Sequence, residues 1–311
     1  MNIYEQIKKN NFNTWIILAV FVALLLAIGM GFDYFYGAGM GLPLFTIIAL
    51  GVGVVTSYSG YMYGDKLVIS STHAREPNPD DAKEKQWQDV VEEMSIAAGI
   101  PLPKTYVTDD PDPNAFATGR DPAHSSIVAT RGLLEILNRE ELQAVASHEM
   151  SHIRNFDTRL MLIIAVLVGS IALLAGWAGR MLFWGRGNQN RKNSGVGALV
   201  ILVIWLVAVV LAPILSRLIA MCVSRKREYL ADASGAELTR NPTALANALV
   251  KISSNYQPSR LINQGTSHLC IADPLNNSLG AKEGWFADLF ATHPPIRQRI
   301  EVLKQMAYNV K

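Results

Sequence analysis

The sequence predicts a predominantly helical α+β protein, integral to a membrane through four transmembrane helices, with a polar domain that carries a small sheet. Three observations predict it. Half of the 311 residues are hydrophobic and only 17% are charged, and the apolar ones gather in four stretches without a charge: Asn11–Phe32, Tyr34–Gly64, Leu160–Gly179 and Asn193–Ser216. A spanning helix needs roughly 20 mostly apolar residues, so each stretch is long enough. Two polar blocks separate and follow these stretches, with helix caps at regular intervals. β-prone strings cluster in the first block, which limits the sheet to a few strands.

The first stretch is longer than the apolar core of a signal peptide and no A-x-A-like site follows it. It is expected to be a retained anchor spanning about 11–32. Gly51, Gly53, Ser57, Ser59 and Gly60 dilute the second stretch, which places its span at about 42–62. Lys8 and Lys9 precede the first span, and Lys66, Arg75, Lys83 and Lys85 follow the second. By the excess of Lys and Arg on cytoplasmic loops, the N-terminus and the segment after residue 64 are both cytoplasmic. The last two spans fall at about 160–179 and 195–216. Arg180, Arg186, Arg191 and Lys192 lie on the outer side of that hairpin, against the rule. The chain thus divides into a membrane hairpin (1–64), the first part of a polar domain (65–158), a second hairpin (159–216) and the rest of the domain (217–311).

In the first polar block, Arg75 to Lys85 reads as a linker running into a helix over Gln86–Ala98, which Gly99-Ile100-Pro101 stops. Lys104–Thr108, Asn114–Thr118 and Ser125–Thr130 read as short strands. A helix follows, with Asn138 as N-cap and Glu141 three residues on, the pattern of a capping box. In the second block Asn241-Pro242 opens a helix over 243–254, Tyr256–Gly284 is loop-like, and a last helix starts near Pro294-Pro295.

A net charge of +2 without a basic run argues against nucleic acid as a partner. Cys222 and Cys270 form no CxxC, which fits a reducing compartment and excludes a disulfide framework.

The chemistry lies on the capped helix. His148-Glu149-Met150-Ser151-His152 places two imidazoles four residues apart, on one face, where both can hold one ion. Glu149 can reach a water at an open coordination position and act as general base. A surface pair of histidines is the bland reading of the same string. A catalytic zinc needs a third protein ligand. Asn155 and Thr158 stand where a metzincin would have Gly and a third His, which excludes that arrangement. A carboxylate on another helix can serve instead. Glu228 and Asp232 are four apart, so Glu228 can bind zinc while Asp232 accepts the outer N–H of a ligating His. An ordinary charged helix face beside a membrane is the other reading of these two residues. The segment 148–152 and Glu228 can meet only if the apolar stretches between them cross the bilayer twice or not at all. His73, His124 and His268 lack partners at metal spacing and read as structural.

These motifs resemble the M48 metallopeptidase family, most closely its HtpX-like membrane proteases. The residues that carry the resemblance are His148-Glu149-x-x-His152, Glu228-Tyr229-x-Ala231-Asp232, Asn114–Gly119 and Thr292-His293-Pro294-Pro295. Their order and intervals match along nearly the whole chain. The resemblance implies a gluzincin-type domain with one zinc ion held by His148, His152 and Glu228, Glu149 as the catalytic residue and Asp232 behind a ligand. It implies that Asn114, Ala115, Phe116 and Ala117 form an edge strand lining the substrate, where an extended peptide adds through main-chain hydrogen bonds. It further implies that His293 and Arg299 stabilise the oxyanion.

The expected protein is therefore a multi-pass plasma (inner) membrane endopeptidase whose active site faces the cytoplasm. Its partners would be the lipid bilayer, misfolded or damaged membrane-protein substrates, and further copies of itself or other quality-control proteases. A selective processing enzyme for prenylated (CaaX) C-termini and a non-enzymatic membrane scaffold are the rival readings.

Overall fold

Long uncharged runs with few prolines favour unbroken helix, because every backbone donor then finds its acceptor within the segment. In the computed structural model, which describes residues 3–36, 42–167, 225–259, 261–262, 266–272 and 294–309, the first two runs form α1 (Ile3–Tyr36) and α2 (Leu44–Ser71). The two helices pack along each other as a hairpin. Near its tip, Asp33 accepts hydrogen bonds from the backbone N–H and the hydroxyl of Thr46. Among the described residues no helix is long and apolar enough to cross a membrane, so the four expected spans are not shown. The third expected span is helical over 157–167 and lies outside the described residues beyond that point, as does the whole of the fourth.

The segment expected to be a linker is pinned instead. Arg75 exchanges two backbone hydrogen bonds of 2.8 Å with Val107. Its guanidinium makes a bidentate pair with Glu84, a buried carboxylate that Arg131 and the Asn78 N–H also approach. α3 (Ala82–Ala98) starts earlier than the sequence suggested, because Asp81 caps it by accepting from the Lys83 and Glu84 N–H groups. It ends as expected at Gly99, whose φ of 65° is left-handed.

Three strands form one sheet in the order β1-β3-β2: β1 (Lys104–Thr108) runs parallel to β3 (His124–Thr130), and β2 (Ala115–Asp121) antiparallel to it. The short α4 (Arg131–Ile136) leads into α5 (Arg139–Arg154), on which Asn138 and Glu141 make the expected reciprocal cap. α6 (Arg225–Thr239), α7 (Pro242–Ser254), a single 3₁₀ turn at Ser267–Leu269 and α8 (Ile296–Asn309) follow.

α5 is the centre of the polar domain, packed by α3, α6, α7 and β2. Trp87, Val91, Leu142, Val145, Met150, Leu245, Leu249 and Leu303 fill the core around it. Each fully buried side chain of this size contributes roughly 1.5–3 kcal/mol, which fixes α5 as the least movable element. A second apolar cluster joins Ile17, Leu18 and Phe21 of α1 to Phe116 and Val128 of the sheet and to Leu160, Leu162 and Ile163. The hairpin is thereby seated on the sheet. Polar contacts reinforce the seam: Arg159 donates to the Asn11 side chain and to the Arg120 carbonyl, and Arg120 donates to the Met62 carbonyl.

Candidate metal centre and active site

Both histidines of α5 point to its buried side, with His148 fully buried and His152 nearly so. Their rings meet edge to face, with centroids 4.8 Å apart and planes at 86°. The two Nε2 atoms face each other at 3.2 Å. From α6 the Glu228 carboxylate comes within 3.7 Å of His148 Nε2 and 3.6 Å of His152 Nε2. The helices can approach this closely because position 235 is glycine. A Cβ there would stand 3.0 Å from His148 N and 3.2 Å from His148 Cα, and Ser147 donates a 3.1 Å hydrogen bond to the Gly235 carbonyl.

Each imidazole turns its other nitrogen to a carboxylate. His148 Nδ1 lies 3.0 Å from Asp232 Oδ1, and His152 Nδ1 lies 3.0 Å from Asp157 Oδ2. The Asp157 hydrogen bond holds an N–H proton on His152 Nδ1. The Asp232 charge, close to His148 Nδ1 but off hydrogen-bond geometry, favours the proton on that nitrogen too. Both Nε2 lone pairs are thereby turned toward each other and toward Glu228. Three electron-pair donors converging in a buried space repel unless a cation sits among them. The ligand atoms of His148, His152 and Glu228 all lie within 4.8 Å of one another. Ligand atoms about 2.0–2.1 Å from a tetrahedral zinc stand roughly 3.3 Å apart, so the set fits that ion after little adjustment. His₂-carboxylate donors also suit zinc chemically.

The metal-free electrostatics follow from burial and these partners. Burial lowers the pKa of His148, outweighing the Asp232 carboxylate beside it. Burial acts the same way on His152, but its hydrogen bond to Asp157 and the charge of Glu228 prevail and bring it to about 9. Without metal, a proton between the two Nε2 atoms therefore belongs to His152, and metal binding must release it. Burial works against the Asp232 charge, yet Arg299 outweighs it and holds the carboxyl at about 2. The Glu149 carboxyl is pushed up to about 7, chiefly by burial, while an N–H from Ala117 of β2 acts against the rise. Its Oε1 has no hydrogen-bond partner among the described residues. A carboxylate with that pKa and a vacant acceptor atom is suited to take up and release a proton near neutral pH.

The other expected site residues fall in different places. Asn114 is buried and its amide is engaged within the protein: Nδ2 donates to Asp112 and to the Ala272 carbonyl, and Oδ1 accepts from the Ala115 and Ala272 N–H groups. Ala115, Phe116 and Ala117 lie on β2, which is an edge strand as expected. Part of that edge is already covered, since Ile271 N–H donates to the Ala115 carbonyl and Phe116 bridges to Cys270. Further along β2, Arg159 donates to the Arg120 carbonyl, so this edge is partly engaged there as well. Arg299 is buried behind the ligands, donating to both Asp232 oxygens at 2.7 and 2.8 Å and to the Ile271 carbonyl at 2.8 Å. With its guanidinium so engaged, it is placed to hold Asp232 rather than to meet an oxyanion. His293 lies outside the described residues.

Sequence reasoning missed Asp157, the carboxylate on His152. The chain leaves the helix at Asn155 and turns at Phe156, whose φ is 59°. Asp157 thus returns to His152 across a bend that no helical spacing signals, and Phe156 carries none of the usual marks of a left-handed residue.

Similarity to known proteins agrees with this arrangement. The family model for Peptidase family M48 matches residues 81–307. A "Protease HtpX homolog" from Streptococcus pneumoniae (strain Hungary19A-6) is 43% identical over 309 residues, covering 98% of this chain and 100% of the relative. Proteins of the same description from Caldanaerobacter subterraneus subsp. tengcongensis and Dictyoglomus turgidum are 40% and 41% identical, covering 98% and 99% of this chain and 98% and 96% of their own lengths. The crystal structure of S. mikatae Ste24p shares the fold at a TM-score of 0.50 and 18% identity, over 93% of this chain and 66% of that one. The matched residues run from the cap of α3 to the last turns of α8 and include every side chain that meets at His148 and His152 except those supplied by α1, and on that evidence the chain belongs to peptidase family M48 and is a metallopeptidase.

Proposed function

We propose that the chain is a zinc endopeptidase of a membrane, acting at the cytoplasmic face on misfolded or damaged membrane proteins. The observation that carries the chemistry is the convergence of His148 Nε2, His152 Nε2 and the Glu228 carboxylate beside the unpartnered Glu149 Oε1. Zinc held by these three would supply a Lewis acid for the scissile carbonyl and lower the pKa of the attacking water. Glu149 takes a proton from that water as its oxygen bonds to the carbonyl carbon, and returns it to the amide nitrogen as the C–N bond breaks. Asp157 and Asp232 keep the Nδ1 protons of the two ligands in place. β2 stands at the edge of the described sheet, where an extended substrate can add through main-chain hydrogen bonds.

Support for the membrane comes from the uncharged stretches of the sequence and from the surface of the N-terminal hairpin. Asn11–Phe32 and Tyr34–Gly64 carry no charge. Among the described residues, all the exposed large apolar side chains except Ile96, Leu102 and Val250 belong to the N-terminal hairpin or its tip, Trp15, Ile47, Val55 and Tyr58 among them. An apolar surface of that extent needs a cover. Four membrane-crossing helices, with Lys8, Lys9 and Lys66 on the cytoplasmic side, provide one.

The test is cleavage of casein and of an unfolded membrane protein by detergent-solubilised chain, with zinc measured in the same samples. Glu149→Gln is expected to lose cleavage by about 10²–10⁴-fold while keeping its zinc, and a chelator is expected to stop the wild type. Retained activity in Glu149→Gln would remove the proposed base. A product pattern limited to a single bond near prenylated C-termini would replace the quality-control reading with selective processing.

A further inference from the structure

One polar contact crosses from the N-terminal hairpin to the metal centre. Asn10 stands just before the first uncharged stretch and is 1% exposed. Its amide nitrogen donates to the Asn155 carbonyl at 3.0 Å and to Asp157 Oδ1 at 2.6 Å. Its Oδ1 accepts from Arg227 Nη1 at 3.3 Å, and the same nitrogen lies 3.5 Å from Asp157 Oδ1. The amide orientation is settled by chemistry: turning it over would set its oxygen against two acceptors and its N–H groups against a guanidinium. The other oxygen of Asp157 takes His152 Nδ1. Asn10, Asp157 and His152 therefore form one line of hydrogen bonds, joining residues 147 apart in sequence and then five apart.

Among the described residues, removing the Asn10 amide leaves Asp157 Oδ1 with Arg227 alone, at a distance where a hydrogen bond is weak. It also strips the Asn155 carbonyl, at the bend that returns Asp157 to His152, of its side-chain donor. A carboxylate free to turn no longer holds the His152 ring or its tautomer. α1 contributes none of the proposed ligands, and among the described residues Asn10 is the side chain by which it reaches a group bonded to one of them.

We propose that Asn10 is a positioning residue for His152, and that the chain binds its metal at full strength only while α1 is seated on the peptidase domain. The proposal rests on the reading of His152 as a metal ligand. Outer partners of metal-bound histidines typically change metal affinity by about 10–100-fold when removed. Zinc affinity of the full-length, detergent-solubilised protein, measured by chelator competition, and the visible spectrum of the cobalt-loaded form provide readouts independent of turnover. Asn10→Ala is expected to weaken zinc binding by about tenfold and Asp157→Asn by about 10–100-fold, each with an altered cobalt spectrum. The double variant should be no weaker than Asp157→Asn alone, because both act on one link. Thr14→Ala, one turn along α1, removes an equally buried hydroxyl bonded only to its own helix among the described contacts and should leave affinity within about twofold.

Unchanged affinity in Asn10→Ala, equal weakening by Thr14→Ala, or effects that multiply in the double variant would each overturn the proposal. If Asn10→Ala fails to fold, Asn10→Gln keeps the amide but displaces it by one methylene. It should weaken binding severalfold, and wild-type affinity there counts against the link. A wild type that binds no zinc, or a His152→Ala variant that binds it as well as wild type, sinks the metal reading itself and is told apart by that result.

Discussion

The two histidines of the centre are held by the same device from opposite directions. Asp232, behind His148, belongs to α6 and is clamped by Arg299 of α8 through two hydrogen bonds of 2.7 and 2.8 Å. Asp157, behind His152, lies past the end of α5 and is held by the Asn10 amide at 2.6 Å and by Arg227 at 3.5 Å. The first carboxylate has a full countercharge in bidentate geometry. The second has a neutral amide as its nearest support. His148 is thus fixed from within the peptidase domain, whereas the fixing of His152 depends on a helix that must dock from outside it. The difference teaches that one half of a metal site can be built for permanence and the other left answerable to a distant element.

The comparison breaks most visibly at the two arginines. Arg299→Ala leaves Asp232 buried without its countercharge and should cost about 3–5 kcal/mol of stability, read as the unfolding midpoint of metal-free protein. Arg227→Met, which removes the looser partner and keeps the volume, should cost less, since Nη1 lies 3.5 Å from Asp157 and Nε and Nη2 have no hydrogen-bond partner among the described residues. Equal losses would mean that the two carboxylates are held alike.

Acidification sharpens the same point. The Asp232 carboxyl is depressed in the folded protein, to about 2, against about 3.9 in an unfolded chain. Its contribution is therefore fully present above the unfolded value and lost as pH falls through the folded one. The shift amounts to roughly 2–3 kcal/mol. The stability gap between wild type and Asp232→Asn should stay constant from pH 7 to about 5 and close toward pH 2. A gap that closes near neutral pH would show that Asp232 titrates in the ordinary range.

A comparable effect is expected at the seam that brings Glu228 to the histidines. Gly235→Ala places a methyl against the backbone of His148 and should cost about 1–3 kcal/mol as overpacking. Because it moves α6 rather than a ligand partner, zinc affinity should fall for both histidines together, visible as a cobalt spectrum unlike that of Asn10→Ala. Identical spectra would argue that α6 and α1 act on one ligand.

Legibility in the sequence differs from residue to residue for a physical reason. His148, Glu149 and His152 could be read because helical periodicity puts i and i+4 on one face whatever surrounds the helix. The Asn138–Glu141 cap and the Gly99 stop rest on backbone groups within one turn, so they too were readable. The Arg75–Lys85 segment was misread as a linker because its charges suggest solvent, and only the fold supplies the Val107 backbone and the Glu84–Arg131 cluster that pin it. Gly60 diluted the apolar signal of α2, and Gly64 stood at the end of that uncharged stretch. A Cβ at either would stand under 3.0 Å from Val166 or Leu162, so these glycines admit a neighbouring helix at close range.

The sequence by itself determined that His148 and His152 share a face of one helix with Glu149 beside them, and where that helix starts, because each depends on interactions within a few residues. Glu228 and Asp232 were legible as a face but not as a site until α6 lay against α5. Only the tertiary structure decided that Asp157 turns back to His152, that Arg299 serves Asp232, that residues 270–271 cover the start of β2, and that Asn10 reaches the centre from α1. Those contacts join groups far apart in the chain or across a bend, where no periodicity survives and packing alone selects the partner.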